Sequence, residues 1–367
     1  MGWQVYLAGL CFMVCSVIQG LIVLNNLERY VYRSWHETLI TIAVILFVVL
    51  FNTLLARRLP LIEGLLLIVH IGGLLAIIIP LWVLAPRGTA HETLFNFTTT
   101  GGWDNLGLAA LIGMVNPIGV LVGYDSAVHM SEEVHDASFI LPQALIWSVV
   151  PNGVMALVMG VTFVFCIGDI DDVLASPTYE PFVQAFFNAT QSYAGTTVMA
   201  FIILFMLTAA CISEVATASR QLWSFARDNR LPFSAWLSQV TPGWNIPLHT
   251  RHLRLGRHQL ASVVNQYRVL RRAQRHQFPR HAVVALLLHR DDQLSGKYGL
   301  AINIVSPCFV LPLLFFATWP LATPVTAAGF NWSSVMFVSI LLIALVYYVL
   351  YARHVYTGPV VLVKRED

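Results

Sequence analysis

What most limits the folds open to this chain is its succession of long apolar runs. They fall at Trp3–Leu24, Thr38–Ala56, Leu61–Leu84, Leu106–Val122, Ala144–Ile167, Thr197–Ala218, Ile302–Trp319 and Val335–Tyr351. Each is close to the roughly 20 residues that cross a hydrocarbon core about 30 Å thick. Inside lipid the backbone must satisfy its own hydrogen bonds, so a run of this length without strict alternation specifies a helix. Apolar residues make up 57% of the 367 positions and charged residues only 11%. A soluble domain of this size has no use for so much apolar surface. The expected fold is therefore an all-α polytopic membrane protein with about eight recognisable spans. The five cysteines, Cys11, Cys15, Cys166, Cys211 and Cys308, lie inside apolar runs without CxxC spacing and read as small core residues.

The net charge of +2 says little, because the charges are unevenly placed. If spans alternate, Arg57, Arg58, Arg220, Arg227, Arg230, Arg353, Lys364 and Arg365 collect on one side, which the bias of basic residues assigns to the cytoplasm. Arg29 and Arg33 are exceptions. Three Asn-x-Ser/Thr sequons, at Asn96, Asn188 and Asn331, collect on the other side, where a glycan acceptor must lie. No cleavable leader is visible, and the start at Met1 reads as if the chain began part-way through a larger one.

The fourth run organises the rest. Leu106–Val122 has the length of a span, yet Asn116-Pro117 and Gly119 sit at its middle and Gly123 follows. Proline removes a donor and glycine makes non-helical backbone cheap. Asp125, His129, Glu132, Glu133, His135 and Asp136 come directly after. A breakable helix with a carboxylate at the break suits a midplane binding site, because irregular backbone is tolerated at that depth where it lines a cavity. An ordinary proline kink and an interfacial or capping Asp125 are the structural alternatives. Glu214 is a lone acid inside the sixth run and should face the bundle, either at a site or in an ion pair. Glu132 and His135 have the Glu-x-x-His spacing of di-iron bundles, but that chemistry needs a second copy and none is found. A solvated loop accounts for the same residues. His70 and Glu63 read as packing or interface residues. Walker, Rossmann and nucleophile-elbow patterns are absent from the sequence.

One segment breaks the pattern. Between His249 and Arg290 there are nine Arg and six His with no Asp or Glu. It reads either as a basic patch for lipid headgroups or nucleic acid, or as an out-of-frame stretch. Its sharp membrane-like borders favour the second. The sidedness above requires it to cross the membrane zero or two times.

The runs FNTLLARRLPLIEG, DSAVHMSEEV, CISEVATASRQLWSFARDNRLPFSAWLSQV and YYVLYARHVYTGPVVLVKRE resemble the fungal amino acid, choline and GABA permeases of the amino acid–polyamine–organocation superfamily. The resemblance covers about 1–248 and 296–367. It implies a fold of twelve spans, with two inverted five-span repeats and two further helices, of which this chain would begin at the third. The organising stretch is then similar to the family's sixth span, whose break holds substrate. The matching positions are Gly119, Val120, Leu121, Val122, Gly123 and Tyr124, with Asp125 beside them, and Glu214 from the eighth span. The first two spans would be missing, and the Arg/His-rich 249–295 would stand in place of the ninth and tenth. The resulting division is 1–248 for the transporter core, 249–295 for the aberrant segment and 296–367 for two closing spans and a short cytoplasmic tail.

The implied function is secondary transport of a small amine-bearing solute (an amino acid, GABA or choline) by alternating access. The implied partners are that solute, a coupling proton and the lipid bilayer, with no cofactor and no nucleic acid, in the plasma membrane. Two alternatives from other classes are an intramembrane metalloenzyme built on His129, Glu132 and His135, and a membrane-tethered basic adaptor.

Overall fold

A computed structural model of the chain describes residues 2–239 and 299–355, apart from positions 56, 57, 98, 100, 135, 229, 230, 232 and 328. The segment 249–295, Arg57, Arg230, Lys364 and Arg365 lie outside the described residues. Within them all regular structure is helical. Five helices of membrane length come first: α1 (Gly2–Asn25), α2 (Ser34–Leu55), α3 (Leu59–Leu84), α7 (Ala137–Cys166) and α10 (Tyr193–Arg227). Between α3 and α7 lie α4 (Ala90–Phe95), α5 (Leu106–Gly113) and α6 (Val115–Ile118), and between α7 and α10 lie α8 (Ile170–Leu174) and α9 (Pro181–Thr190). The chain continues with α11 (Ser234–Leu237), α12 (Gly299–Ala317) and α13 (Ser333–Tyr347), the last extended through a π-helical turn as far as Val355. Ser333–Val355 is the sixth helix long and apolar enough to cross a membrane. Leu106–Ile118 and Val305–Ala317 are two shorter apolar helices. Together they match the eight runs read from the sequence, and the protein is an all-helical, multi-pass membrane protein.

The core is the junction of α1, α2 and α10. Leu7, Cys11, Val14, Ile45, Val48, Cys211 and Val215 are buried there. Small residues let these helices approach closely: Ala8 and Cys11 on α1, Ala216 and Cys211 on α10. That is how helices associate in lipid, where burying apolar area gives no advantage over the lipid tails. Asn52 of α2 adds a polar tie, donating to Val48 O at 3.0 Å and to Ile212 O of α10 at 2.9 Å. Four cysteines are buried as expected, but Cys308 is exposed on α12. The apolar run around it has two sides, and composition does not say which one packs.

One end of the bundle gathers the links. Asn25 Nδ2 donates to Thr197 Oγ1 at 3.1 Å, joining the end of α1 to the start of α10. Gly88 N donates to Phe165 O at 3.1 Å, joining the link that follows α3 to the last turn of α7. Thr323 N donates to Gly101 O at 2.8 Å and Trp103 Nε1 to Leu321 O at 3.2 Å, joining the link before α5 to the one after α12. The three sequons belong to this end. Arg58, Arg220, Arg227 and Arg353 belong to the other, where α10 stops and α12 begins. Alternating spans predict where the sequons lie, while Arg29, Arg33 and Arg87 sit at the sequon end against the bias of the basic residues.

The polar stretch Gly168–Gly195, which lies between two of the apolar runs, contains α8 and α9. Asp169 caps α8 by accepting from Asp171 N, and Pro181 opens α9 at the first helical position, where a missing N–H is harmless. One face of α9 buries Phe186 and Ala189 among Ile77, Leu81, Cys166 and Met199. Just before it, Glu180 is pressed against Gly20 of α1. A Cβ on Gly20 would lie 3.0 Å from Glu180 Cγ and 3.3 Å from Thr178 O, so a larger residue there would push Glu180 aside by a few tenths of an ångström. Burial pushes the Glu180 carboxyl up from 4.5 to about 7. The folded value lies above the unfolded one. The stabilising effect of the neutral carboxyl is thus complete below about pH 4.5 and is lost as pH rises through about 7. Its size is on the order of 1–3 kcal/mol after allowing for partial exposure. Glu180→Gln should flatten the fall in melting temperature over this window in detergent. An unchanged slope would remove Glu180 from the account.

Candidate functional site: a broken helix

The organising stretch begins as a regular helix. Asn105 caps α5 by accepting from Leu108 N at 3.2 Å. At Met114 the axis passes into α6, and Pro117 lies within its first turn, so its missing N–H breaks nothing. Gly119–Leu121 add one 3-10 turn. The helix then stops. Val122 is extended (φ −69°, ψ 139°), and Gly123 has φ +101°, a region that costs an L-residue about 1–3 kcal/mol. A second 3-10 segment runs over Tyr124–Glu133. Of the seven positions expected around the break, Gly119, Val120 and Leu121 thus stay helical. Val122 and Gly123 form the break, and Tyr124 and Asp125 open the second half. The residues that end the first half leave carbonyls without helical partners, and those that start the second leave N–H groups.

The second half packs against α7 and α10. Asp125 is half-buried, and His129, one turn on, places Nε2 3.7 Å from Asp125 Oδ2. The His129 ring meets Trp3 of α1 edge to face, with ring centroids 5.2 Å apart. Trp3 in turn meets Tyr6. Glu214 enters from α10 at only 6% exposure. Asp125 and Cys11 lie within electrostatic reach of it, and Tyr6 lies within reach of both carboxylates. Glu214 Oε1 has no hydrogen-bond partner among the described residues. The next residue back, Ser213, donates to Glu63 Oε1 of α3 at 3.2 Å, so Glu63 is an interface residue, as its sequence context suggests.

The structure therefore brings together two acids expected from the sequence, Asp125 and Glu214, from elements 89 positions apart (214 − 125). It adds Trp3, Tyr6, Cys11 and His129 around them. Sequence reasoning missed the first three for this role, since nothing in the pattern of α1 points at a residue more than a hundred positions ahead. His135 and the side chains of Val120, Glu132 and Glu133 lie outside the described residues, and the Glu-x-x-His grouping lies outside them too.

Against known proteins, the amino acid permease family model matches residues 1–251. A choline transporter of Saccharomyces cerevisiae is 26% identical over 351 residues, covering 91% of this chain and 62% of that protein. Amino-acid permease 2 of Neurospora crassa is 26% identical over 310 residues, 79% of this chain and 56% of that one. A thiamine transporter of Schizosaccharomyces pombe is 29% identical over 248 residues, 62% of this chain and 41% of that one. The chain thus spans less than two thirds of the length of these relatives. All are permeases or transporters, which sets aside the reading as an enzyme. With the family matched over more than half of its length and its spans in place, the chain belongs to the amino acid permease family.

Proposed function

We propose that the protein takes part in secondary transport of a small amine-bearing solute across the plasma membrane, coupled to protons, with the solute held at the helix break. The observation that carries this is the break at Val122–Gly123, with Asp125 beside it and the unpartnered Glu214 facing it from α10. Burying a carboxylate without a partner costs several kcal/mol, so the position calls for a cationic group or a proton. Two such acids beside one break suit an ammonium or quaternary ammonium, with Asp125 as its counter-ion and Glu214 as the proton's carrier. Tyr6 and Trp3 supply aromatic faces of the kind that attract such cations. Relatives named for choline and thiamine, both organic cations, support the charge class, and one named for amino acids supports the primary amine.

The test is uptake by cells expressing the protein, offered labelled choline, GABA and neutral and basic amino acids at external pH 5 and 7.5. At least one of them should accumulate several-fold over control cells, more at pH 5, and lose that excess when a protonophore collapses the gradient. Accumulation that ignores the protonophore would remove proton coupling, and no accumulation of any amine would remove the substrate class.

A further inference from the structure

The three sequons are equivalent in sequence and unlike in structure. Asn331 is fully buried. Its side chain donates to Ala317 O and Trp319 O, both at 2.9 Å, and accepts from Ser333 N at 3.2 Å and from the Ser333 hydroxyl. It closes the turn between α12 and α13, two residues before α13 begins. Asn188 sits inside α9, half-buried, donating to Asp172 Oδ2 at 2.8 Å and accepting from Gln184 Nε2 at 2.9 Å. In both, the amide nitrogen that a glycan would occupy already has a structural task.

Asn96 differs on each count. It is exposed and follows the last residue of α4 with extended backbone (φ −90°, ψ 96°). The short helix before it is fixed by a capping box between Thr89 and Glu92, which holds the acceptor at a defined place. It lies near the middle of the link from Leu84 to Leu106, at the end of the bundle that gathers the links. Phe95 and Phe97 on either side are 67% and 70% exposed. Two exposed phenyl rings beside a polar amide have no apolar cover from the protein, and the C–H face of a sugar ring would supply one.

We infer that Asn96 is the protein's N-glycan acceptor and that Asn188 and Asn331 are structural asparagines carrying none. The co-reactant is an oligosaccharide on a lipid diphosphate, delivered by the secretory-pathway transferase. Asn96 Nδ2 bonds to the anomeric carbon, the lipid diphosphate leaves with the bonding electron pair, and the amide gives up one proton. Thr98 supplies the hydroxyl that the transferase reads.

The experiment expresses the full chain in yeast and compares gel mobility before and after peptide N-glycosidase. One glycan's worth of shift is expected, and it should vanish in both Asn96→Gln and Thr98→Val. It should persist in Asn188→Gln and in Ser333→Ala, which removes the third sequon while keeping the Asn331 amide in place. A shift that survives in either of the first two variants overturns the proposal. So does a shift lost in either of the others, or no shift in the parent chain, the result expected if Phe95 and Phe97 instead hold α4 against the lipid surface.

Discussion

Asp125→Asn should reduce uptake of the transported amine at least tenfold, mainly as a rise in KM. The change keeps the shape of the side chain and removes its charge. At an exposed surface a lost ion pair costs little, about 0–1 kcal/mol. Here the carboxylate is half-buried beside a helix break and next to a second acid, where a cation has few other partners. Loss of a counter-ion in such a place costs on the order of 1.5–3 kcal/mol, or roughly ten- to a hundredfold in affinity. His129 lies 3.7 Å from the same carboxylate, so His129→Gln is the control: it should alter uptake far less if Asp125 acts on the solute directly. Unchanged KM in Asp125→Asn, with normal protein in the membrane, would end the counter-ion role.

Glu214→Gln is expected to cost more than tenfold in accumulation and to separate two roles. Glutamine fills the same volume and carries no charge to bury, so the helix junction should survive. If Glu214 carries the coupling proton, the variant should still exchange labelled for unlabelled solute, while accumulation against a gradient disappears and its dependence on external pH goes flat. If Glu214 only touches the solute, exchange and accumulation should fall together with the pH profile intact. The second outcome would leave the proposed transport standing and remove only the proton from this residue.

How much of this was legible depended on the range of the signal. Spans announce themselves locally, so the eight apolar runs gave eight helices with ends within a few residues. Two helices run further: Ala137–Cys166 starts seven residues before Ala144, with Pro142 inside the helix, and Tyr193–Arg227 ends nine residues after Ala218. The break was legible as a place, because Asn116-Pro117, Gly119 and Gly123 crowd one span. Its exact position was not, since a proline in a first turn breaks nothing while a glycine at positive φ does. The helices α8 and α9 hid in a stretch rich in Asp, Ser, Pro and Gln, their buried faces too short to register as runs. The three sequons look alike in sequence, and the burial of Asn331 follows from two carbonyls at and just after the end of α12, which no local pattern reports.

The unbroken length of α10 has a mechanical consequence. Glu214 sits at the site, and the helix continues from it to Arg227 without proline or glycine, 13 residues further (227 − 214). That distance is roughly 20 Å, so tilting the rod by about 10° swings its tip by roughly 3 Å. The tip is anchored to the end of α11 by Trp223, whose Nε1 donates to Ser238 O at 3.2 Å. A tilt of α10 at the break would therefore be largest at the end that carries Arg227, where the indole of Trp223 lies.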